Sequence, residues 1–176
     1  ENRKLSSNIV LATVSTTPKQ RIVTELRRRE NLKQVMLILG CGYIGKRVAR
    51  HYVEQGERVL AIVRSLESAS ALEQAGIPAL AQNIQPGSLA DVPLEGERVF
   101  HFAPPPGQDD EDPLTRHLIS AFAQQGHPRR LLYISTTGVY GDCGGAWVDE
   151  DRPPSPSVDR ARRRWDAEEA LRRWSA

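Results

Sequence analysis

Six residues, Gly40-Cys41-Gly42-Tyr43-Ile44-Gly45, restrict what this 176-residue chain can fold into more than any other part of it. They follow the wholly apolar run Val35-Met36-Leu37-Ile38-Leu39 directly. They open a segment, Tyr43 to Glu54, in which Ile44, Val48, Tyr52 and Val53 recur at helical spacing. Five apolar residues without alternation predict a strand buried on both faces, as in a parallel sheet. A strand that passes into a helix through Gly-x-Gly-x-x-Gly has a separate use for each glycine. Gly40 makes the tight turn, Gly42 lets backbone approach a pyrophosphate, and Gly45 lets the helix pack on the strand. The helix start, with Tyr43 and Ile44, offers unpaired N–H groups and partial positive charge to that pyrophosphate.

The alternation continues along the chain. Further strands are predicted at Arg58–Val63, Ile77–Ala81, Arg98–Ala103 and Leu131–Ile134. Helices are predicted from Ser68 to Ala75, stopped by Gly76, from Pro113 to Gln125, ended by Gly126, and from Asp159 to about Trp174. Five strands interleaved with helices predict an α/β fold, a doubly wound parallel sheet of the Rossmann kind with right-handed crossovers. Ligands then belong at the carboxyl ends of the strands.

Composition fits one such domain, with 39% apolar and 26% charged residues and with 13 Gly and 12 Pro dispersed rather than in tracts. The net charge of +2 is unevenly placed. Residues 1–33 hold eight Lys and Arg against three Glu, a net +5, which leaves −3 for residues 34–176. We read residues 1–33 as an N-terminal extension, with the β-branched stretch Ile9 to Val14, a turn at Thr17-Pro18 and a basic helix ending in Arg27-Arg28-Arg29. It is a solvated appendage or non-native leader. Without an aromatic platform beside the charge, nucleic acid is not an expected partner. The dinucleotide-binding domain is placed at 34–176. No secretory leader opens the chain, and its longest apolar run is far below the roughly 18 residues of a membrane span, so no membrane partner and a cytoplasmic location are expected. Cys41 and Cys143 read as reduced thiols, and no metal site is expected.

Two loops bear on the ligand. In an NAD fingerprint an acid stands roughly 20 residues beyond the glycines, where it accepts from the ribose 2′-OH. Here the second strand ends in Arg64-Ser65, a cation and a hydroxyl, which favours NADP over NAD. Arg64 as a solvated strand end is the other reading. The fourth strand runs into Ala103-Pro104-Pro105-Pro106-Gly107, stiff enough to lie against a flat cofactor face, or else a turn that only leaves the sheet. His101 reads as a core or strand-end residue.

After the fifth strand comes Ser135-Thr136-Thr137-Gly138-Val139-Tyr140-Gly141-Asp142. This segment resembles the signature of the extended short-chain dehydrogenase/reductase superfamily, the NAD(P)-dependent nucleotide-sugar epimerases and dehydratases. The run Gly141 to Glu150, with the proline loop, looks most like its atypical YeeZ-like branch. The resemblance implies that Thr136 is the active-site hydroxyl, that Asn83 stands where an Asp reads adenine, and that Ala103, with Pro104 beside it, lines the cofactor. It also implies hydride transfer on a small-molecule substrate, a nucleotide sugar or similar alcohol. The family's Tyr-x-x-x-Lys is missing: its register reads Arg160-Ala161-Arg162-Arg163-Arg164. Arg164 is left to hold ribose hydroxyls, and Tyr140 is the candidate replacement acid. A catalytically silent dinucleotide-binding module is therefore the alternative. The resemblance further implies that the chain lacks a C-terminal substrate region. Trp165 and Trp174 are then expected to face a partner chain, as in a homodimer.

Overall fold

The strand and helix pattern is realised in a computed structural model that describes residues 34–107 and 109–176; the extension expected over 1–33 lies outside them. In chain order the elements are β1 (Val35–Leu39), α1 (Tyr43–Glu54), β2 (Arg58–Val63), α2 (Leu66–Gln74), β3 (Ala79–Ala81), β4 (Arg98–His101), α3 (Pro113–Gln125), β5 (Arg130–Tyr133) and α4 (Asp159–Ser175). A 3₁₀ turn, Thr137–Tyr140, was not foreseen.

All five strands are parallel, in the order β3-β2-β1-β4-β5. β1 lies at the centre, which is why every residue of it can be apolar and buried. Its last residue, Leu39, is level with Ile62 of β2 and His101 of β4. The chain therefore leaves three strands at one edge of the sheet. The order reverses between β1 and β4, since β2 and β3 lie on one side of β1 and β4 and β5 on the other. A crevice opens at such a reversal, outside the carboxyl ends of the strands.

Met36, Ile38, Val59, Ala61, Leu72 and Ile77 make one core between sheet and helices. Each large aliphatic side chain so buried contributes roughly 1.5–3 kcal/mol. Capping chemistry adjusts the element ends. α2 begins at Leu66, two residues before the predicted start, because Ser65 Oγ accepts from the Ser68 N–H at 3.2 Å. α3 starts where predicted: Asp112 caps it through Leu114 N–H at 3.0 Å and Pro113 takes the first turn. β3 is shorter than predicted, although Ile77 stays buried and the Pro78 carbonyl accepts from Ala61. β4 ends at His101, short of the donor-less prolines.

The two indoles expected to face a partner find neighbours within the chain. Trp174 stacks on His127 and leans on Phe122, with centroids 5.4 and 5.0 Å away. The Arg172 guanidinium lies 5.1 Å over Trp165. Among the described residues no helix is long and apolar enough to cross a membrane, and no cluster of His, Cys, Asp and Glu could hold a metal ion.

Candidate functional site

The glycine turn is built by close contacts that leave one side open. Gly40 sits at φ +85° and donates its N–H to the Ile62 carbonyl at 2.9 Å. A Cβ there would lie 2.4 Å from the backbone nitrogen of Ala103, so the turn and the exit of β4 are in direct backbone contact. A Cβ on Gly45 would lie 2.8 Å from the Gly40 carbonyl oxygen, which ties the helix to the turn. At Gly42 a Cβ would meet nothing within 4 Å. The middle glycine thus faces open space, as a dinucleotide cradle requires. Gly42 is also the N-cap of α1, with no side-chain cap and no acid in the first turn, so the first N–H groups of the helix are unclaimed by a side chain. Tyr43, 72% exposed, begins the helix. Its hydroxyl accepts from Arg47 at 2.7 Å, and that guanidinium lies 4.6 Å over its ring.

A cleft of about 1050 Å³ opens beside this turn. The structure brings Gly40, Gly42, Arg64, Ser65, Asn83, Ala103 and Pro104 together in its wall, while Tyr43 and Ile44 stand exposed at the helix start and Gly45 is buried below. The cleft also contains residues the sequence reading missed: Lys46, one turn into α1, and Glu67 and Ser68 at the start of α2. The signal was Ser65, whose capping role moves the helix start forward and turns the two residues into the cleft. Ser65 itself has less to offer than expected. Its hydroxyl accepts from Ser68 N–H and donates to Ser68 Oγ at 2.9 Å.

The residues implied for catalysis lie apart from this lining. Thr136 is the N-cap of the 3₁₀ turn, and its Oγ1 accepts from Gly138 N–H at 3.2 Å. Tyr140 ends that turn, half-buried. Neither borders the cleft, and nor does Arg164. Arg164 Nη1 instead donates to the Ile134 carbonyl at 2.8 Å and the Tyr133 hydroxyl at 3.2 Å, and its guanidinium lies 5.5 Å from the Tyr133 ring centroid. Beside it the Ser135 hydroxyl donates to Glu168 in a short bond. Arg160 points to solvent. Ala161 is the buried residue of this register, and a Cβ at Gly138 would sit 3.6 Å from its methyl and 3.5 Å from Thr136 Oγ1.

Below the strand ends runs a buried polar chain. His101, Asp112 and Thr115 are each wholly buried. Thr115 donates to Asp112 Oδ2 at 2.6 Å, and so accepts from His101 Nε2 at 2.9 Å. This tautomer leaves His101 Nδ1 as a bare lone pair with no partner. Burial, helped by the Arg164 charge, pushes the imidazole down to about 4. Because the folded value lies below the unfolded 6.5, the unfolded chain binds the proton first. Stability present above pH 6.5 is therefore lost as pH falls towards 4, by roughly 3 kcal/mol over the window. Asp112, raised by burial, opposes part of this loss at the acid end. Urea midpoints should fall between pH 6.5 and 4.5, and His101→Gln should flatten that slope. Parallel slopes in the two proteins would refute the assignment.

With this geometry in view, the comparisons are specific. A family model described as NAD(P)H-binding matches residues 40–174. A functionally unknown conserved protein from Silicibacter pomeroyi is 32% identical, with a TM-score of 0.63 over 79% of this chain and 48% of its own. An NAD-dependent NDP-hexosamine 5,6-dehydratase of tunicamycin biosynthesis is 25% identical, with a TM-score of 0.62 over 80% and 50%. The UDP-glucuronic acid 4-epimerase of Bacillus cereus shares the fold at 20% identity, with a TM-score of 0.66 over 80% and 52%. The chain spans about half the length of these solved structures. No curated protein matches it.

Proposed function

The chain belongs to the NAD(P)H-binding family, and from that premise we propose that the cleft beside the glycine turn holds an NADP(H) molecule. One observation carries the reading: an uncapped, acid-free helix start whose middle glycine faces open space. The diphosphate rests on the first turn of α1 at Gly42, Tyr43 and Ile44, with Lys46 adding a charge. The adenosine end lies towards Arg64, Ser65 and Asn83, and the nicotinamide end towards Ala103 and Pro104. When bound, the cofactor supplies or accepts a hydride.

The preference for the phosphorylated cofactor rests on Arg64, a guanidinium on the cleft wall that is in no ion pair among the described residues. NADPH should bind more tightly than NADH. Arg64→Ala should remove most of the difference, on the order of 1–3 kcal/mol for a charge-assisted phosphate contact. Equal affinities of the unaltered chain for both cofactors in a fluorescence titration would refute this preference.

The substrate class we assign is a nucleotide sugar or similar alcohol, the kind named for the epimerase and dehydratase neighbours. Thr136 orients the reacting oxygen and Tyr140 is the first candidate for its proton. We place the protein in the YeeZ-like branch, in the cytoplasm, and as a homodimer, with residues 1–33 as an appended segment and 34–176 as the cofactor domain. A second reading, a dinucleotide-binding module without turnover, is favoured by the exposed Arg160, the small Ala161 and the fully engaged Arg164 Nη1.

A further inference from the structure

We propose that Glu67 and Ser68, in the first turn of α2, set the balance between phosphorylated and unphosphorylated cofactor, Glu67 by opposing a ribose 2′-phosphate and Ser68 by donating to it. The inference rests on the dinucleotide reading above and assigns roles to two residues that the strand-end pattern does not include.

Both side chains are exposed in the wall of the cleft that also contains Arg64 and Lys46. Among the described residues Glu67 and Arg64 are in no ion pair, with each other or with a third group. The cleft therefore presents an unpaired guanidinium just before the cap of α2 and an unpaired carboxylate in its first turn. These are opposite instructions to a ribose. A phosphate dianion is drawn by Arg64 and repelled by Glu67, whereas an unmodified 2′-hydroxyl can donate to the carboxylate. An acid in a first helical turn also favours its own helix through the dipole. That local role acts on stability and is blind to which cofactor binds.

The hydroxyls divide in a way that only the capping geometry shows. Ser65 Oγ accepts from Ser68 N–H and gives its own proton to Ser68 Oγ. Its hydrogen is spent inside the cap. In this arrangement Ser68 Oγ receives that bond and keeps its own proton, which enters no hydrogen bond among the described residues. Of the two serines, Ser68 is the donor left for an incoming phosphate oxygen. Ser65 acts through it, as the residue that holds the turn and aims the second hydroxyl.

The test is calorimetric titration of the full 176-residue chain with NADPH and with NADH, in four forms: unaltered, Glu67→Gln, Ser68→Ala and Ser68→Thr. Glu67→Gln should tighten NADPH by about threefold to tenfold and weaken NADH, as expected when an exposed like charge is removed. Ser68→Ala should weaken NADPH by roughly fivefold to twentyfold with NADH changed by less than about twofold, and Ser68→Thr should restore it. Thermal midpoints report any damage to the cap, and a purely structural role would move both cofactors together. If the unaltered chain binds NADPH but neither substitution changes the NADPH-to-NADH ratio, this inference fails and the cofactor reading stands. If it binds neither cofactor, both fail.

Discussion

Gly40→Ala is expected to unfold the site, and much of the domain's stability with it. Two independent effects act at this position. The left-handed backbone at φ +85° disfavours any Cβ by roughly 1–2 kcal/mol. The new methyl would also sit 2.4 Å and 2.5 Å from Ala103 N and Cα, and 2.9 Å from the carbonyl carbon of Phe102. Those are backbone atoms, so no rotamer change relieves the overlap and β4 must move. Phe102 N–H, which donates to Leu39 at 2.8 Å, moves with it. The combined loss should be roughly 2–5 kcal/mol, since overpacking alone ranges over about 1–3. Gly42→Ala is the informative companion. Its methyl enters open space, so the denaturation midpoint should hold while dinucleotide binding is lost. A Gly40→Ala protein with an unchanged midpoint would contradict the contact between turn and strand.

The second large effect concerns turnover. Proton transfer to a carbinol oxygen needs a group that exchanges a proton near neutral pH, and the helix register that should supply it contains arginines, which stay charged throughout. Arg160 is exposed, Ala161 has no polar atom on its side chain, and Arg164 Nη1 is bound to β5. Thr136 can orient an oxygen but is too weak an acid. Tyr133, the phenol nearest Arg164, has its pKa raised to about 12 by burial, in spite of the guanidinium. The expected result is NADPH binding with little hydride turnover on nucleotide sugars, lower by roughly 100-fold to 10,000-fold for the missing acid catalysis alone. Single-turnover absorbance at the nicotinamide band checks it. Ordinary rates abolished by Tyr140→Phe would show that this tyrosine has taken over the acid's role.

Periodicity located the sheet well because its central strands are buried on both faces. Val35–Leu39 and Arg58–Val63 have the bounds that an apolar run predicts. Errors gathered where a single hydrogen bond moves an end. Ser65, expected at the ligand, lines the cleft and also caps α2, and that capping role, invisible in the strand-end pattern, is what brings in Glu67 and Ser68. The 3₁₀ turn escaped because Thr137-Gly138-Val139-Tyr140 has no periodicity; it is held by Thr136 Oγ1 and by the Thr136 carbonyl, which accepts from Val139. The chain from His101 through Thr115 to Asp112 ties the end of β4 to the first turn of α3, and the periodicity of neither element announces that link. The glycine turn was the most legible part of the site. Its contact with Ala103 was not, since that depends on β4 lying beside β1 rather than beside β3.

Pro104, Pro105 and Pro106 line the cleft where the nicotinamide half of a dinucleotide would run. A flexible loop at that place would lose backbone freedom on binding, about 1–2 kcal/mol for each residue ordered. Three consecutive pyrrolidine rings, each fixing its own φ, have given up much of that freedom before any ligand arrives. The entropy of forming this wall is thus charged to folding rather than to association. Capture should then be limited by orientation and electrostatic approach, with no slow closing phase in stopped-flow traces, and affinity differences among cofactors should appear in their dissociation rates.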